Sequence, residues 1–205
     1  LIPDPLSGCP MANMITAEDL RELKQRHPKA AVVGYVNTSA DVKAELDICC
    51  TSTNAVEIIS RLKDAEEIIF IPDKYLADYV SKKTGRRLIS WDGYCPTHVK
   101  ILPEDLLREI RLHPLAKIMV HPECRPEVIE LADEVLSTGK MCQFVKTSPD
   151  KEFIIGTEVG IIFRLKKDNP DKQFYPASEL AICPNMKRTT LERVLWSLEE
   201  MKTEV

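Results

Sequence analysis

The sequence predicts an α/β protein in which a three-layer α/β/α domain with parallel sheets repeats around a pseudo-threefold axis. Two observations support this prediction. Short apolar runs typical of buried parallel strands alternate along the chain with amphipathic segments that begin at helix-capping residues. The chain is also similar to itself at a fixed spacing, and the pair Cys-Pro begins at three positions, 9, 95 and 183.

The internal repeat is clearest when each residue n is placed beside residue n+86. The segment EDLRELKQRHPKAAVVGYVN (18–37) then lies over EDLLREIRLHPLAKIMVHPE (104–123) without a gap. Cys9 precedes Cys95 by 86 residues, and Cys95 precedes Cys183 by 88 residues. The three Cys-Pro pairs therefore mark three copies of one unit.

The Cys-Pro pairs also predict the domain organisation. We expect a linker at 1–8, repeat domains at 9–94 and 95–182, and the C-terminal part of a third repeat at 183–205. This third copy supplies one helix, TTLERVLWSLEEM (189–201), and a lone helix cannot bury its own apolar side. We therefore expect a segment of roughly 55–60 residues or more, N-terminal to residue 1, to complete it.

The elements of the first repeat follow in order from local signals. Thr16 caps a helix that must end near His27, because Pro28 follows. Asp73 caps a later helix, KYLADYVSKKT, which stops at Gly85. The other predicted elements are the strand AAVVGY (30–35), the strand DICC (47–50), a helix that opens at 51–53, and the strand EIIFIP (67–72), after which RLISWDG (87–93) leads into the second repeat.

Composition and charge exclude several classes of function. The net charge is −4, and the basic residues are scattered, so nothing favours binding to nucleic acid. No apolar run approaches the ~18 residues of a membrane helix, and the first residues lack the pattern of a signal peptide. Seven cysteines, none of them in a CxxC pair, favour a reduced, cytoplasmic setting over a disulfide framework.

Polar residues follow the predicted strands at the edge where parallel α/β domains place their binding groups. Tyr35 and Asn37 end the first strand of one repeat, and His121 and Glu123 end its counterpart in the next. A histidine and a glutamate at one strand end suit substrate binding or proton transfer near neutral pH. A histidine satisfied within the core is the other interpretation.

Two Ser-Thr pairs occupy equivalent places in the repeat, Ser52-Thr53 and Ser137-Thr138. Each pair stands at the predicted start of a helix, where free N–H groups and a partial positive charge suit a carboxylate or a phosphate. A simple helix cap accounts for each pair taken alone.

The three Cys-Pro cysteines form the strongest pattern in the sequence. Threefold symmetry brings Cys9, Cys95 and Cys183 to one central point, where three thiolates suit a metal or cluster site with one coordination position free. Zinc bound by three cysteines remains open, whereas a redox sensor needs only a pair. The other cysteines have no symmetry mates and are expected to pack, although one of them directly follows the His-Pro-Glu turn; they are Cys49, Cys50, Cys124 and Cys142.

Six motifs, in this order, resemble the quinolinate synthase family over essentially the whole chain. They are GCPMANM (8–14), GYVNT (34–38), CCTSTNAVEII (49–59), WDGYCPTHVKI (91–101), HPEC (121–124) and CPNMK (183–187). The resemblance implies a [4Fe–4S] cluster at the centre of three pseudo-symmetric domains, held by Cys9, Cys95 and Cys183. It implies a transferase of NAD biosynthesis that condenses iminosuccinate with dihydroxyacetone phosphate to quinolinate, phosphate and water.

The resemblance also implies roles for single residues. Proton transfer falls on Glu123 first, then on Tyr35 and His121, and the expected substrate contacts are Tyr35, Asn37, Ser52, His121, Glu123, Ser137 and Thr138. L-aspartate oxidase or aspartate dehydrogenase is the partner that supplies the imine. A His-Tyr pair and a serine that the family carries in its N-terminal part have no counterpart here.

Two alternatives stay open at this point. One is another iron–sulfur or zinc (de)hydratase or lyase acting on a small carboxylated substrate. The other is a module that binds such a metabolite without turnover, although three cysteines together with a His-Glu pair exceed what binding alone requires.

Overall fold

The computed structural model describes residues 1–204, and these contain two parallel sheets of four strands each. The strands of the first sheet are Ala31–Tyr35 (β1), Ile48–Cys50 (β2), Ile68–Ile71 (β3) and Ile89–Ser90 (β4), in the order β2-β1-β3-β4. Those of the second are Lys117–Val120 (β5), Glu134–Val135 (β6), Glu152–Gly156 (β7) and Gln173–Pro176 (β8), in the order β6-β5-β7-β8. The predicted α/β class with parallel sheets is confirmed.

Helices connect the strands, as parallel pairing requires. They are Ala17–Arg26 (α1), Ala40–Lys43 (α2), Ala55–Arg61 (α3), Lys74–Thr84 (α4), Pro103–Leu112 (α5), Pro126–Ile129 (α6), Thr138–Thr147 (α7), Ile161–Asp168 (α8) and Leu191–Glu200 (α9). Four short 3₁₀ helices lie at Pro5–Ser7, Pro10–Met14, His98–Lys100 and Met186–Arg188. Within residues 1–204 no helix has both the length and the apolar character needed to cross a bilayer.

The two sheets are copies of one arrangement. Ala31 of β1 pairs with Ile68 of β3, and Lys117 of β5 pairs with Phe153 of β7. Lys117 is the residue that the sequence repeat places over Ala31, so this strand repeats in the predicted register. Phe153 follows Ile68 by 85 residues and not by 86, because the second copy has one residue fewer between its first and third strands. The boundaries of the domains themselves stay a prediction.

Alternate residues of each central strand enter opposite layers of the core. In β3, Ile68 and Phe70 pack against α3 and α4, whereas Ile69 and Ile71 pack against α1 and α2. All four side chains are at most 1% exposed, and burying a side chain of this size contributes roughly 1.5–3 kcal/mol. The second sheet is covered in the same way, by α5 and α6 on one face and by α7 and α8 on the other. The three-layer arrangement is confirmed for both sheets.

The helix ends follow the predicted capping residues in two cases and depart from them in a third. Thr16 forms a capping box with Asp19, and Asp73 accepts hydrogen bonds from two N–H groups at the start of α4. Helix α3, however, begins at Ala55 and not at residues 51–53, so that expectation was wrong. The Thr51 N–H donates to Oδ1 of Asn54 at 2.7 Å, which makes residues 51–54 a turn before the helix.

Helix α9 leaves its apolar side uncovered, as the sequence predicts. Leu191 is 82% exposed and Leu198 is 62% exposed, and no α9 residue is buried among the described part of the chain.

Candidate functional site

A cavity of about 1000 Å³ lies where the carboxyl ends of strands from both sheets meet. Tyr35 ends β1, and Glu123 and Thr157 follow β5 and β7, so parallel strands deliver their next residues to one place. Nine of the ten predicted site residues line this cavity: Cys9, Tyr35, Asn37, Ser52, Cys95, His121, Glu123, Thr138 and Cys183. The tenth, Ser137, is 4% exposed and lies outside the lining.

Glu123 stands at the centre of the buried polar groups and is only 3% exposed. Its Oε2 lies 2.9 Å from Nδ1 of His98, and its Oε1 lies 3.9 Å from Nδ1 of His121. Burial by itself raises the pKa of Glu123, but the charge of His98 outweighs burial and holds that pKa well below its usual range. Glu123 is therefore a carboxylate at neutral pH.

His98 is the positively charged partner in this pair. Its Nε2 lies 2.8 Å from the hydroxyl of Thr157, while its Nδ1 contacts Glu123 as an ion pair without an aligned hydrogen bond. Burial lowers the pKa of His98, yet the carboxylate of Glu123 outweighs burial and raises that pKa well above 6.5. The sequence analysis did not predict this residue, although it lies three residues after Cys95 in a Cys-Pro turn.

His121 is the neutral member of the pair of histidines. Its ring stacks on that of His98 at a centroid distance of 4.6 Å and an angle of 21°. Burial lowers the pKa of His121 to about 3, and the charge of His98 adds to this effect. The backbone N–H of Glu123 donates to Nδ1 of His121 at 3.3 Å, so the single ring proton lies on Nε2.

Tyr35 keeps its proton beside the same carboxylate. Burial raises the pKa of its hydroxyl well above 10, and the negative charge of Glu123 raises it further. The hydroxyl of Ser52 also contacts Tyr35, from the turn that precedes α3. These residues place a protonated phenol against an ionised carboxylate on one wall of the cavity.

Asp73 is a second buried acid behind this wall. Its Oδ1 accepts hydrogen bonds from the N–H groups of Tyr75 and Leu76 at 2.9 and 2.8 Å, whereas its Oδ2 has no partner within residues 1–204. Burial raises the pKa of Asp73 to about 7, and the charge of Glu123 contributes. The capping role was predicted from the sequence, and the raised pKa was not.

The two predicted Ser-Thr pairs differ in what their hydroxyls do. Ser137 caps α7, accepting from the Lys140 N–H at 3.4 Å and from the Thr53 hydroxyl at 2.8 Å. Its oxygen is thus occupied by a cap and by a bond that joins the two repeat units. Thr138, at the first position of α7, and Ser52 both line the cavity.

Each predicted cysteine of the trio is followed by a short 3₁₀ helix. The carbonyls of Cys95 and Cys183 accept a bond from the residue four positions on, at 3.2 and 3.3 Å, whereas that of Cys9 accepts from the residue three positions on, at 3.0 Å. The Cys95 and Cys183 turns are therefore alike, and the Cys9 turn is tighter. All three cysteines are free thiols of intermediate exposure, and burial raises the pKa of Cys9.

The donor set at the cavity fits two kinds of metal group. Three half-buried thiols that are far apart in sequence line one cavity, which suits a cluster held by three thiolates. Cys95, His98 and Glu123 each offer one donor atom, and these three atoms lie within 4.8 Å of one another. This mixed set of sulfur, nitrogen and oxygen suits a single divalent ion. The site therefore offers donor groups that could hold a metal.

The other cysteines follow the packing expectation only in part. Cys50 and Cys124 are buried, and the thiol of Cys124 lies 3.3 Å from the carbonyl oxygen of Gly156, away from the cavity lining. Cys49 is exposed, so packing was the wrong expectation for it, whereas Cys142 packs against the core beside the second sheet and also lines the cavity. Cys142 reaches the cavity because α7 runs along its wall.

An acidic residue after β7 supports the third Cys-Pro turn, and sequence reasoning missed it. Glu158 lies 2.9 Å from Nζ of Lys187 and accepts from the N–H groups of Cys183 and Gly160 at 3.4 and 2.8 Å. The register of the sheets shows that Glu158 takes the place of Asp73 in the second copy. An acidic residue at the equivalent position of both copies was the signal in the sequence that could have identified Glu158.

Fold and site together define a class: repeated parallel α/β units with an ionisable, thiol-rich, metal-capable centre at the strand ends. Within that class, the whole chain, residues 1–205, matches the family described as Quinolinate synthetase A protein, and the chain belongs to this family.

Named relatives agree with this family. The chain is 54% identical over 205 residues to "Quinolinate synthase" of Dehalococcoides mccartyi, covering all of this chain and 68% of that protein. It is 54% identical over 202 residues to "Quinolinate synthase 1" of Methanosarcina acetivorans, and 53% identical over 201 residues to "Quinolinate synthase" of Thermodesulfovibrio yellowstonii. Those two alignments cover 98% of this chain and 66% of each relative, so the chain spans about two thirds of its relatives' length.

Proposed function

We propose that this chain is the part of a quinolinate synthase that carries its metal centre and most of its substrate contacts. The proposed reaction condenses iminosuccinate with dihydroxyacetone phosphate to quinolinate, phosphate and water, with a [4Fe–4S] cluster held by Cys9, Cys95 and Cys183. The observation that carries the proposal is that these three cysteines line the same cavity as Tyr35 and Glu123.

The protonation states of the wall place a proton acceptor beside proton donors. Glu123 is ionised and can accept a proton, and the charge of His98 that lowers its pKa also makes it a weaker base than a free carboxylate. His98 carries a proton beside it, and the Tyr35 hydroxyl, with a pKa well above 10, serves as a hydrogen-bond donor. His98 holds the charge of Glu123 in place from the buried side. Proton removal during imine–enamine exchange and proton donation to a departing hydroxyl both need such a pair.

Neutral donors support the binding of carboxylated substrates. His121 presents Nε2–H, since its Nδ1 accepts from the backbone. Asn37, Ser52 and Thr138 add donors, and the partial positive end of α7 lies at Thr138. We assign the substrate carboxylates and phosphate to these groups, with Ser137 acting through its cap on α7.

Cations on the cavity wall support the same choice of substrate. Lys146 and Arg164 line the cavity beside the neutralised pair of Lys187 and Glu158, and Nε of Arg164 lies 3.6 Å from Oδ2 of Asp168. Lys146 and, in part, Arg164 therefore add positive charge to the wall, which attracts a dicarboxylate and a phosphate ester.

When bound, the cluster would supply one Lewis-acidic iron, which polarises a hydroxyl or carbonyl oxygen of the substrate. The chain's own part would be to hold the cluster with the thiolates of Cys9, Cys95 and Cys183, in the cavity that Tyr35 and Glu123 also line. In the cell, the proposal implies a cytoplasmic transferase of NAD biosynthesis, with L-aspartate oxidase or aspartate dehydrogenase as the source of the imine.

A second candidate rests on the close approach of Cys95, His98 and Glu123. These donors suit a single zinc or iron ion, and the protein would then be a metal-dependent (de)hydratase or lyase for a small carboxylated substrate. In that case Glu123 is a ligand and not the proton acceptor.

One experiment separates these candidates. The protein, in the full length in which it occurs, is purified without oxygen and analysed for iron, acid-labile sulfide and zinc, and then supplied with iminosuccinate and dihydroxyacetone phosphate. We expect about four iron and four sulfide per chain, and quinolinate as product. Zinc or one iron without sulfide, and no quinolinate, would support the second candidate instead.

A further inference from the structure

The segments that carry Cys9 and Cys183 are joined by a set of polar contacts between residues far from each other in sequence. Nδ2 of Asn185 donates to the carbonyl oxygens of Leu6 and Gly8 at 3.2 and 2.8 Å. Gly8 directly precedes Cys9, and Asn185 is the second residue after Cys183. One side-chain amide thus ties the two cysteine turns together.

Ion pairs to one buried carboxylate complete the connection. Asp4 is only 6% exposed, and its Oδ2 contacts Nε of Arg188 at 2.9 Å and also Nη1 of Arg193. Its Oδ1 accepts from the N–H of Leu6 at 2.7 Å, which fixes the short helix before Cys9. We call Asp4, Asn185, Arg188 and Arg193 the clasp.

The clasp differs from ordinary surface ion pairs. Exposed pairs contribute little because solvent screens them and both side chains lose freedom. Here one buried carboxylate serves two guanidinium groups, and Nη1 of Arg193 also donates to the carbonyl oxygen of Arg188 at 3.2 Å. Such a connected arrangement fixes a geometry more than it adds stability.

A link of a different kind holds Cys95 to Cys9. Nε1 of Trp91 donates to the carbonyl oxygen of Met14 at 2.7 Å, which joins the end of the first cysteine turn to the strand that leads to the second. The clasp is therefore the polar connection specific to the Cys9 and Cys183 turns. Without it, each turn keeps its local bonds but loses its orientation toward the other.

We propose that Asn185 and Asp4 are positioning residues for the metal centre: they set the approach of the Cys9 and Cys183 thiolates before metal binds. This inference rests on the proposed three-cysteine site. Removing an outer-shell partner of a metal ligand typically costs 10–100-fold in metal affinity. We therefore expect Asn185→Ala to release iron to a chelator about 10-fold faster than the unsubstituted protein.

The matched control is Asn169→Ala. Nδ2 of Asn169 donates to the carbonyl oxygen of Leu165 at 3.0 Å, a bond of the same type at the end of α8. Within residues 1–204 no hydrogen bond joins Asn169 to a cysteine turn, so replacing Asn169 should lower stability without changing iron release. Far-UV circular dichroism checks folding, and Asp4→Asn tests the same proposal through a change that keeps the side-chain shape.

The readouts are iron and sulfide per chain, the rate of iron transfer to the chelator, and the electron paramagnetic resonance spectrum of the reduced protein. Faster release with an altered spectrum in Asn185→Ala and Asp4→Asn, and not in Asn169→Ala, supports the positioning role. Equal release in all proteins overturns the inference while the proposed function stands. An unsubstituted protein that holds no iron–sulfur group overturns both.

Discussion

At the scale of single residues, one carboxylate controls the protonation of the whole site. Glu123 keeps a proton on His98, while His121, stacked on the same ring, stays neutral. All three groups are buried, so their charges act on one another with little screening. A histidine and a glutamate close in sequence predicted a proton shuttle at this strand end; in the structure the charged histidine is the distant His98.

Glu123→Gln tests this control. We expect quinolinate formation to fall by about 10²–10⁴-fold, since the amide cannot accept a proton. We also expect the pKa of His98 to fall, because burial then acts without the opposing carboxylate. Product assays and a histidine titration by nuclear magnetic resonance provide the measurements.

Glu57→Gln, the same change at an exposed position of α3, is the control and should leave both quantities unchanged. If turnover of the Glu123 variant stayed within about threefold of the unsubstituted enzyme, Glu123 would have no part in proton transfer.

Asp73 gives a prediction for stability against pH. Its pKa is about 7 in the folded protein against 3.8 ordinarily, so the folded state binds this proton more tightly than the unfolded state does. Stability contributed by the protonated form is therefore lost as the pH rises through about 7. Urea unfolding gives the free energy of unfolding of the unsubstituted protein and of Asp73→Asn at each pH. The free energy of the unsubstituted protein, relative to that of the variant, should fall by on the order of 2–4 kcal/mol between about pH 4 and 8.

Only the unsubstituted protein has the titrating carboxyl group, so its stability relative to the variant is highest at low pH. Asp92→Asn, which changes a 91% exposed side chain, should show no such trend. A pH-independent difference for Asp73→Asn would mean that Asp73 ionises normally.

At the scale of elements, the strand ends and the turns after them decide what reaches the cavity. The Cys95 turn is held because the Lys74 N–H donates to the carbonyl oxygen of Gly93 at 2.8 Å. A Cβ on Gly93 would overlap the carbonyl oxygen of Pro72, so only glycine allows this approach. The predicted segment RLISWDG thus ends in a residue with a packing role that its composition alone did not reveal.

Gly93→Ala should separate these backbones and displace the Cys95 turn. We expect a loss of roughly 1–3 kcal/mol in unfolding free energy, together with a lower iron content. Gly139→Ala is the matched change, since a Cβ there meets nothing within 4 Å. In helix α7 it should raise the free energy of unfolding by up to about 1 kcal/mol. Equal stability of the two variants would show that the Gly93 contact is unimportant.

At the scale of the whole molecule, the cavity collects three predicted thiols from distant parts of the chain. Cys9, Cys95 and Cys183 are far apart in sequence, yet their equivalent turns all face one cavity. Cys142 lines the same cavity from α7 without belonging to a Cys-Pro turn. Proximity to the cavity and position in the repeat can therefore be separated by experiment.

Single serine replacements make this test. We expect Cys9→Ser, Cys95→Ser and Cys183→Ser each to lose most of the bound iron, because a hydroxyl is a far poorer ligand for an iron–sulfur cluster than a thiolate. Cys142→Ser should keep it, and iron and sulfide per chain are the quantities to measure. If only the Cys142 variant lost iron, the assignment of Cys9, Cys95 and Cys183 as the ligands would be wrong.

The sequence by itself determined the features that depend on neighbours along the chain. Apolar runs predicted β1, β2 and β3, Thr16 and Asp73 predicted helix starts, and the 86-residue repeat predicted equivalent Cys-Pro turns. It also led to nine residues of the cavity wall: six because parallel strands place the residues after their carboxyl ends at one edge of the sheet, and the three Cys-Pro cysteines because of the repeat. Periodicity and capping act within a few residues, so they can be read without the fold.

Only the tertiary structure decided which of the site residues form ion pairs and hydrogen bonds with one another. His98 meets Thr157 across 59 residues of sequence, and Thr53 meets Ser137 across 84. Neither contact has a local pattern, because each depends on how the two sheets and their loops pack. The pKa of each buried acid or histidine depends on those long-range neighbours and on burial, and therefore on the folded chain as a whole.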